Sequence, residues 1–139
     1  MKKLILALTA IGFITMAATT KMSLSNDKVT VKSELANEKY KACIAACNEC
    51  INSCNTCESK CSKDVKMAIC AQLCKDCVNA CKSANKAMSA NSENAKNECA
   101  ECAKVCEKCA NECVKFTADH CKKCADDCRK AAKLCSEMK

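Results

Sequence analysis

The sequence predicts an all-α protein, specifically an antiparallel up-down-up-down four-helix bundle with a cysteine-lined core. Three observations support this fold. Cysteine recurs every three or four residues, its recurrences fall into four groups, and the chain of 139 residues has one Gly and no Pro. Alternating steps of three and four keep side chains on one face of an α-helix, whereas a strand needs a period of two. Four groups therefore predict four helices.

The nineteen cysteines form four stripes, one on each predicted helix. Apart from a last step of seven, every step within a stripe is three or four residues. The steps between stripes, of nine, eighteen and eight residues, are not multiples of seven, so the stripe cannot continue in register and the helix must end. The stripes are Cys43, Cys47, Cys50, Cys54, Cys57 and Cys61; Cys70, Cys74, Cys77 and Cys81; Cys99, Cys102, Cys106, Cys109 and Cys113; and Cys121, Cys124, Cys128 and Cys135.

The helix bounds follow from these breaks and from capping residues beside them. The predicted helices are 34–61, 65–88, 93–116 and 119–137, preceded by Ser33, by Ser62 or Asp64, by Asn91 or Ser92, and by Thr117 or Asp119. The segments that connect the predicted helices are short, as expected for helices that lie antiparallel beside one another. Residues 34–139 are therefore predicted to form one bundle domain.

The N-terminal residues 1–18 resemble a secretory signal peptide. Lys2 and Lys3 form a charged start, an apolar run follows to Met16, and small residues come next. We therefore expect export by this signal peptide, to the periplasm if the source is Gram-negative. Residues 19–33 lack cysteine and clear periodicity, and we expect a flexible leader or a short helix there.

Composition argues against several classes of function. The net charge is +7, but the lysines alternate with acidic residues and aromatic residues make up only 2% of the chain, so no nucleic-acid partner is expected. The apolar run near the N-terminus is too short for a membrane helix of about 20 residues, so no membrane partner is expected. One His and no phosphate-binding Gly loop argue against an enzyme.

A core filled with cysteine alone would be under-packed, because Cys is smaller than the Leu, Ile or Phe that usually fill a bundle. Bound metal ions would supply the missing cohesion, since metal binding to a folded site adds to folding free energy. A disulfide-rich structural or redox scaffold is an alternative for an exported chain. However, nineteen is an odd number, and pairs within one helix are poorly placed for an unstrained disulfide.

The thiolates favour Cu(I) as the bound ion, with multiple ions per chain. Two cysteines three or four residues apart on a helix form a two-coordinate clamp that suits this soft ion. Zinc prefers four ligands, commonly with some His, and His120 is the only His, so a Zn- or Cd-sequestering protein is the second alternative.

Met67 and His120 extend the cysteine stripes at one end of the predicted bundle. In an antiparallel arrangement both lie near Cys61 and Cys121. A thioether and an imidazole there would form an outer metal site that passes Cu(I) inward to the stronger thiolates. Packing of Met67 in the core and a surface position for His120 are the alternatives.

The four cysteine stripes together resemble those of the bacterial copper storage proteins, four-helix bundle copper-binding proteins with cysteine-rich repeats. The resemblance covers residues 34–138. It implies storage, buffering or detoxification of Cu(I) by core thiolates, mostly two per ion, a Met- or His-lined mouth, and assembly as a homotetramer. A copper donor or acceptor protein is a further expected partner. The chain lacks the twin-Arg signal with which exported members of the family cross the membrane folded.

Overall fold

The computed structural model describes residues 27–138, with side chains from residue 38 onward. These residues form α1 (Asp27–Cys61), a short 3-10 helix (Val65–Met67), α2 (Ala68–Ser89), α3 (Ala95–Cys113) and α4 (Asp119–Ser136). The predicted all-α fold is confirmed. Residues 1–18, predicted to be a signal peptide, lie outside the described residues.

The helices begin and end close to the predicted positions, with two exceptions. α1 begins at Asp27 and so includes residues 27–33, where the sequence predicts a leader or short helix. α3 spans Ala95–Cys113 and is shorter than predicted at both ends. Each helix nevertheless contains its whole cysteine stripe.

The two capping residues predicted between α2 and α3 have different roles: the Ser92 hydroxyl accepts from the Asn94 N–H at 3.2 Å just before α3, whereas Asn91 belongs to the end of α2. Asn91 adopts a left-handed backbone conformation with φ of 46°. The Ser92 N–H donates to the Ala87 carbonyl at 2.9 Å, and the Asn91 N–H donates to the Met88 carbonyl at 3.0 Å. This pattern closes the C-terminus of a helix, so Asn91 terminates α2 and does not start α3. Asp64, by contrast, caps the 3-10 helix as predicted, because its carboxylate accepts from the Lys66 N–H at 2.9 Å.

Each helix packs against the two that neighbour it around the bundle. α1 contacts α2 and α4, and α3 contacts the same two helices. Because consecutive helices are joined by short turns and lie side by side, the chain runs up, down, up and down around one central axis.

Alanine fills much of the space where neighbouring helices meet. Ala46, Ala84, Ala110 and Ala131 are 0–1% exposed, one on each helix. Larger aliphatic residues beside the cysteine stripes, such as Ile44 and Leu73, are only partly buried. Small seam residues let the helices approach closely, which brings the cysteine side chains of different helices together on the axis.

Within residues 27–138, the helices include none with enough length and hydropathy to cross a membrane.

Candidate metal centre

All nineteen cysteines lie in the core of the bundle. Their exposed fractions are 0–1%, and all are free thiols. The predicted stripes thus converge from four helices onto one axis, where they form a continuous column of sulfur atoms, hereafter the sulfur column. A core of this kind has soft donor atoms where other bundles have hydrocarbon.

The closest sulfur contacts in the column join different helices. Cys43 Sγ of α1 is 3.0 Å from Cys135 Sγ of α4. The α2–α3 contacts are similarly short, with 3.4 Å between the Sγ atoms of Cys77 and Cys106 and 3.5 Å between those of Cys70 and Cys113. Sequence spacing alone cannot show these contacts, because they depend on how the helices are set against one another.

Pairs within a helix are close as well. The Sγ atoms are 3.9 Å apart in Cys50 and Cys54 and 3.6 Å apart in Cys57 and Cys61, each pair four residues apart. The predicted clamp geometry within a helix is therefore present. Close pairs of sulfur atoms are therefore available both within one helix and between two helices.

The thiols also gather into overlapping groups of four whose sulfur atoms all lie within 4.8 Å of one another. Members recur from one group to the next, so the column is not a row of isolated sites. The groups include Cys50, Cys77, Cys81 and Cys106; Cys50, Cys54, Cys77 and Cys128; Cys54, Cys109, Cys124 and Cys128; and Cys57, Cys70, Cys74 and Cys113. Shared ligands are the arrangement that a cluster of several soft ions needs.

Burial and neighbouring thiols shift the pKa values of the core cysteines. Burial raises the pKa of Cys61 to about 11 and also raises that of Cys99. In contrast, a hydrogen bond from Cys113 lowers the pKa of Cys57 to about 7. Hydrogen bonds from Cys106 and other thiols likewise lower the pKa of Cys50. A few thiolates are thus stabilised by thiol donors, while most of the column stays protonated without a cation.

One end of the column carries the predicted imidazole, and we call it the histidine end. His120 Nε2 is 3.7 Å from Cys61 Sγ, and Cys61 Sγ is 3.9 Å from Cys121 Sγ. Met67, in the 3-10 helix that leads into α2, is half-buried against the core. The structure therefore brings His120 against the thiols and places Met67 at the same end. His120 also lines a surface cavity of about 310 Å³ between α1 and α4, together with Glu49, Ser53 and Asp127 among others.

The opposite end of the column carries larger side chains. Tyr40 is 5% exposed and Met88 is 1% exposed, and Met138 packs against the same core while partly exposed. The thiols near this end include Cys43 and Cys135. The two ends are therefore chemically different: the histidine end has a half-buried imidazole, and the other end has an aromatic ring and thioethers.

The fold and the sulfur column define a four-helix bundle of the thiol-cored, metal-binding class. A profile of the family described as "Copper storage protein" matches residues 36–139. The chain belongs to the copper storage protein family.

Solved structures agree with this assignment. The copper-free form of copper storage protein 3 from Bacillus subtilis is 40% identical with a TM-score of 0.68, over 71% of this chain and 97% of that one. Its Cu(I)-bound form is 40% identical with a TM-score of 0.69, over 72% and 97%. A cytosolic copper storage protein from Streptomyces lividans, solved during copper loading with five coppers, is 27% identical with a TM-score of 0.67, over 76% and 95%. A search of curated proteins gives no match.

The expectation of export to the periplasm is wrong by these comparisons, because the Streptomyces lividans protein is cytosolic. That expectation depended on Lys2, Lys3 and the apolar run after them, which are typical of the first two regions of a signal peptide.

Proposed function

We propose that this protein stores multiple Cu(I) ions on the thiolates of its sulfur column. The observation that carries the proposal is the burial of all nineteen cysteines in one core, where eighteen of them have a neighbouring sulfur atom 3.0–4.0 Å away. Every cysteine of the four stripes is proposed as a ligand. The Cu(I)-bound structure of the Bacillus subtilis relative supports the choice of ion.

The arrangement favours Cu(I) over Zn(II) for most of the column. A zinc ion held by four thiolates leaves a charge of about −2 in a core without water, which is costly to bury. Cu(I) held by two thiolates leaves about −1, and one ion per thiolate leaves none. Burial of the whole column therefore selects for a singly charged soft ion. A disulfide scaffold is less well supported, because cysteines three or four residues apart on one helix are poorly placed for an unstrained disulfide and a relative is known in a Cu(I)-bound form.

We predict a high capacity for Cu(I). In an anaerobic titration of the reduced protein against a strong Cu(I) chelator, we expect the protein to retain on the order of one ion per cysteine or somewhat fewer. The retained copper should resist excess Zn(II), because soft thiolates shared among several ions suit Cu(I) best. Copper is measured by the absorbance of the chelator complex.

Matched variants locate the copper. The double variant Cys54→Ser, Cys124→Ser removes two sulfur atoms that lie 3.5 Å apart, and it should lose about one to two ions of capacity. The control Thr56→Ala, Ser59→Ala alters exposed residues of the same helix and should keep the full capacity. Retention of only one or two ions by the unaltered protein, or displacement of copper by zinc, would contradict copper storage.

We also propose that Met67 and His120 form an outer site through which copper reaches the column. The double variant Met67→Ala, His120→Ala is expected to take up Cu(I) at least about tenfold more slowly, with nearly unchanged final capacity. Stopped-flow mixing with a coloured Cu(I) complex measures the rate. Met138→Ala, at the opposite end, is the control. Equal rates for all three proteins would show that copper enters elsewhere.

The proposal includes assembly as a homotetramer and exchange of copper with a donor or acceptor protein. Val65 is 92% exposed and Ile69 is 66% exposed, both near the histidine end, and such apolar side chains suit a protein interface. We propose no catalytic role, because the buried groups are thiols suited to holding ions.

A further inference from the structure

The histidine end differs from the rest of the column in its donor atoms. Cys57, Cys61, Cys121 and His120 each offer one ligand atom, and these four atoms all lie within 4.8 Å of one another. The four-cysteine groups described above offer sulfur alone. Three thiolates and one imidazole are a ligand set typical of structural zinc sites, which are closed and tetrahedral.

The spacing of these atoms matches a tetrahedron around zinc. Zn–S bonds of about 2.3 Å place tetrahedral sulfur ligands about 3.8 Å apart. The three Sγ–Sγ distances are 3.6 Å for Cys57 and Cys61, 3.8 Å for Cys57 and Cys121, and 3.9 Å for Cys61 and Cys121. The His120 Nε2 atom is 3.7 Å from Cys61 Sγ. An ion could therefore be bound with little movement of the helices.

Charge also separates this end from the interior. Zn(II) with three thiolates and a neutral imidazole carries about −1, whereas Zn(II) with four thiolates carries about −2. The cysteines of the interior groups and of the histidine end are all fully buried, so the larger charge of a four-thiolate site would cost more. His120 is half-buried and lines a cavity open to solvent, so water can screen the charge at this end. The smaller net charge and the screening by water both favour zinc binding at the histidine end over zinc binding in the interior of the column.

The same cavity lies open to solvent beside His120. Its walls include the carboxylates of Glu49 and Asp127 as well as the imidazole. Each carboxylate is paired with a lysine, Glu49 with Lys130 at 2.6 Å and Asp127 with Lys123 at 3.0 Å, so the walls are polar but nearly neutral. Because both carboxylates are paired with lysines, they compete less with His120 for a divalent cation.

From these observations we propose that the copper-free protein binds one Zn(II) ion at the histidine end through Cys57, Cys61, Cys121 and His120. The zinc crosslinks α1 to the start of α4, and its binding releases the protons of those thiols that were protonated. The proposed zinc site does not depend on whether the protein stores copper. Its one link to the proposed function is that Cu(I), which prefers thiolates, displaces the zinc when the column fills.

The test uses the reduced, copper-free full-length protein under anaerobic conditions. Zn(II) is added in excess, the protein is passed through a desalting column, and retained zinc is measured by elemental analysis and by competition with a chromogenic chelator. We expect one zinc per chain. Co(II) added in its place should give the intense visible bands of tetrahedral coordination and sulfur-to-metal charge transfer expected for three thiolates.

Two variants decide the location. His120→Ala should weaken zinc retention at least about tenfold, because the fourth ligand is lost. Cys106→Ser removes one sulfur from an interior group and should leave zinc retention unchanged. Circular dichroism establishes that both variants fold, and the Co(II) spectrum of the unaltered protein gives the ligand set independently of any variant.

Several outcomes would overturn the zinc site: no retained zinc, several zinc ions per chain, or one zinc whose affinity is insensitive to His120→Ala. The two proposals fail separately. A protein that stores many Cu(I) ions but retains no zinc contradicts only the zinc site. A protein that retains one zinc in this way but only one or two Cu(I) ions contradicts only copper storage.

Discussion

Loading with Cu(I) is expected to raise the melting temperature of the protein by more than about 20 °C. The copper-free axis is packed with small side chains, and each bound ion joins sulfur atoms that the chain does not otherwise link. A single ion at a free concentration of about a thousand times its Kd adds about 4 kcal/mol to the free energy of unfolding. For a domain of this size, 1 kcal/mol corresponds to about 4 °C, and several ions bind.

Differential scanning calorimetry of the copper-free and loaded proteins measures this shift. The variant Cys54→Ser, Cys124→Ser should show a smaller increase, because fewer ions join its helices. Thr56→Ala, Ser59→Ala should match the unaltered protein. An unchanged melting temperature in a protein shown to hold many copper ions would mean that the copper is bound outside the folded core.

Copper-free and copper-loaded proteins should respond to pH in opposite directions. In the copper-free protein, burial raises the pKa of Cys61 from 9.0 to about 11, and it raises the pKa values of Cys70, Cys99 and Cys121 as well. A raised pKa gives stability that is fully present below about pH 9 and is lost as the pH rises through the pKa of the folded state. The copper-free protein should therefore become less stable in alkali.

Cys57 makes a contribution of the opposite sign, since its pKa is lowered to about 7. Its stabilisation is present above about pH 9 and is lost as the pH falls through about 7. More core thiols have a raised pKa than a lowered pKa. The stability of the copper-free protein should therefore fall, on balance, as the pH rises.

The copper-loaded protein depends on thiolates, because protons compete with metal for the sulfur atoms. Its stability and its copper content should fall in acid and hold in alkali. Urea unfolding of both forms at pH values from about 6 to about 10 measures the contrast. Parallel pH dependences for the two forms would show that the ions do not bind the buried thiols.

The sequence predicted the helices well because the cysteine stripes give both the period and the breaks. Steps of three and four placed every cysteine on an inward face, and the phase breaks after Cys61, Cys81 and Cys113 located the three turns. The start of α1 was missed because residues 27–33 carry no stripe. Asn91 and Ser92 could not be distinguished as caps of the third helix, because Asn can begin one helix or end another and only its backbone conformation distinguishes the two.

The convergence of the cysteines on the bundle axis was predictable from their spacing, but the contacts between them were not. Sequence spacing identifies partners within a helix, such as Cys50 and Cys54, whereas the shortest contact joins Cys43 and Cys135, which are 92 residues apart. Such contacts depend on the approach of the helices, which the alanines of the seams allow. The alanines that recur beside the cysteine stripes are a signal of this close approach, which the spacing of cysteine alone does not contain.

The sulfur column has a consequence for how a protein of this design could change its size. Because its donors lie along an axis, the amount of metal it holds scales with the length of the helices. Duplication of one seven-residue segment in each helix would add about eight inward positions, two per helix. The turns, both ends and the contacts between helices would be preserved. Such a protein can bind more metal ions when its helices become longer, while the width of the bundle stays the same.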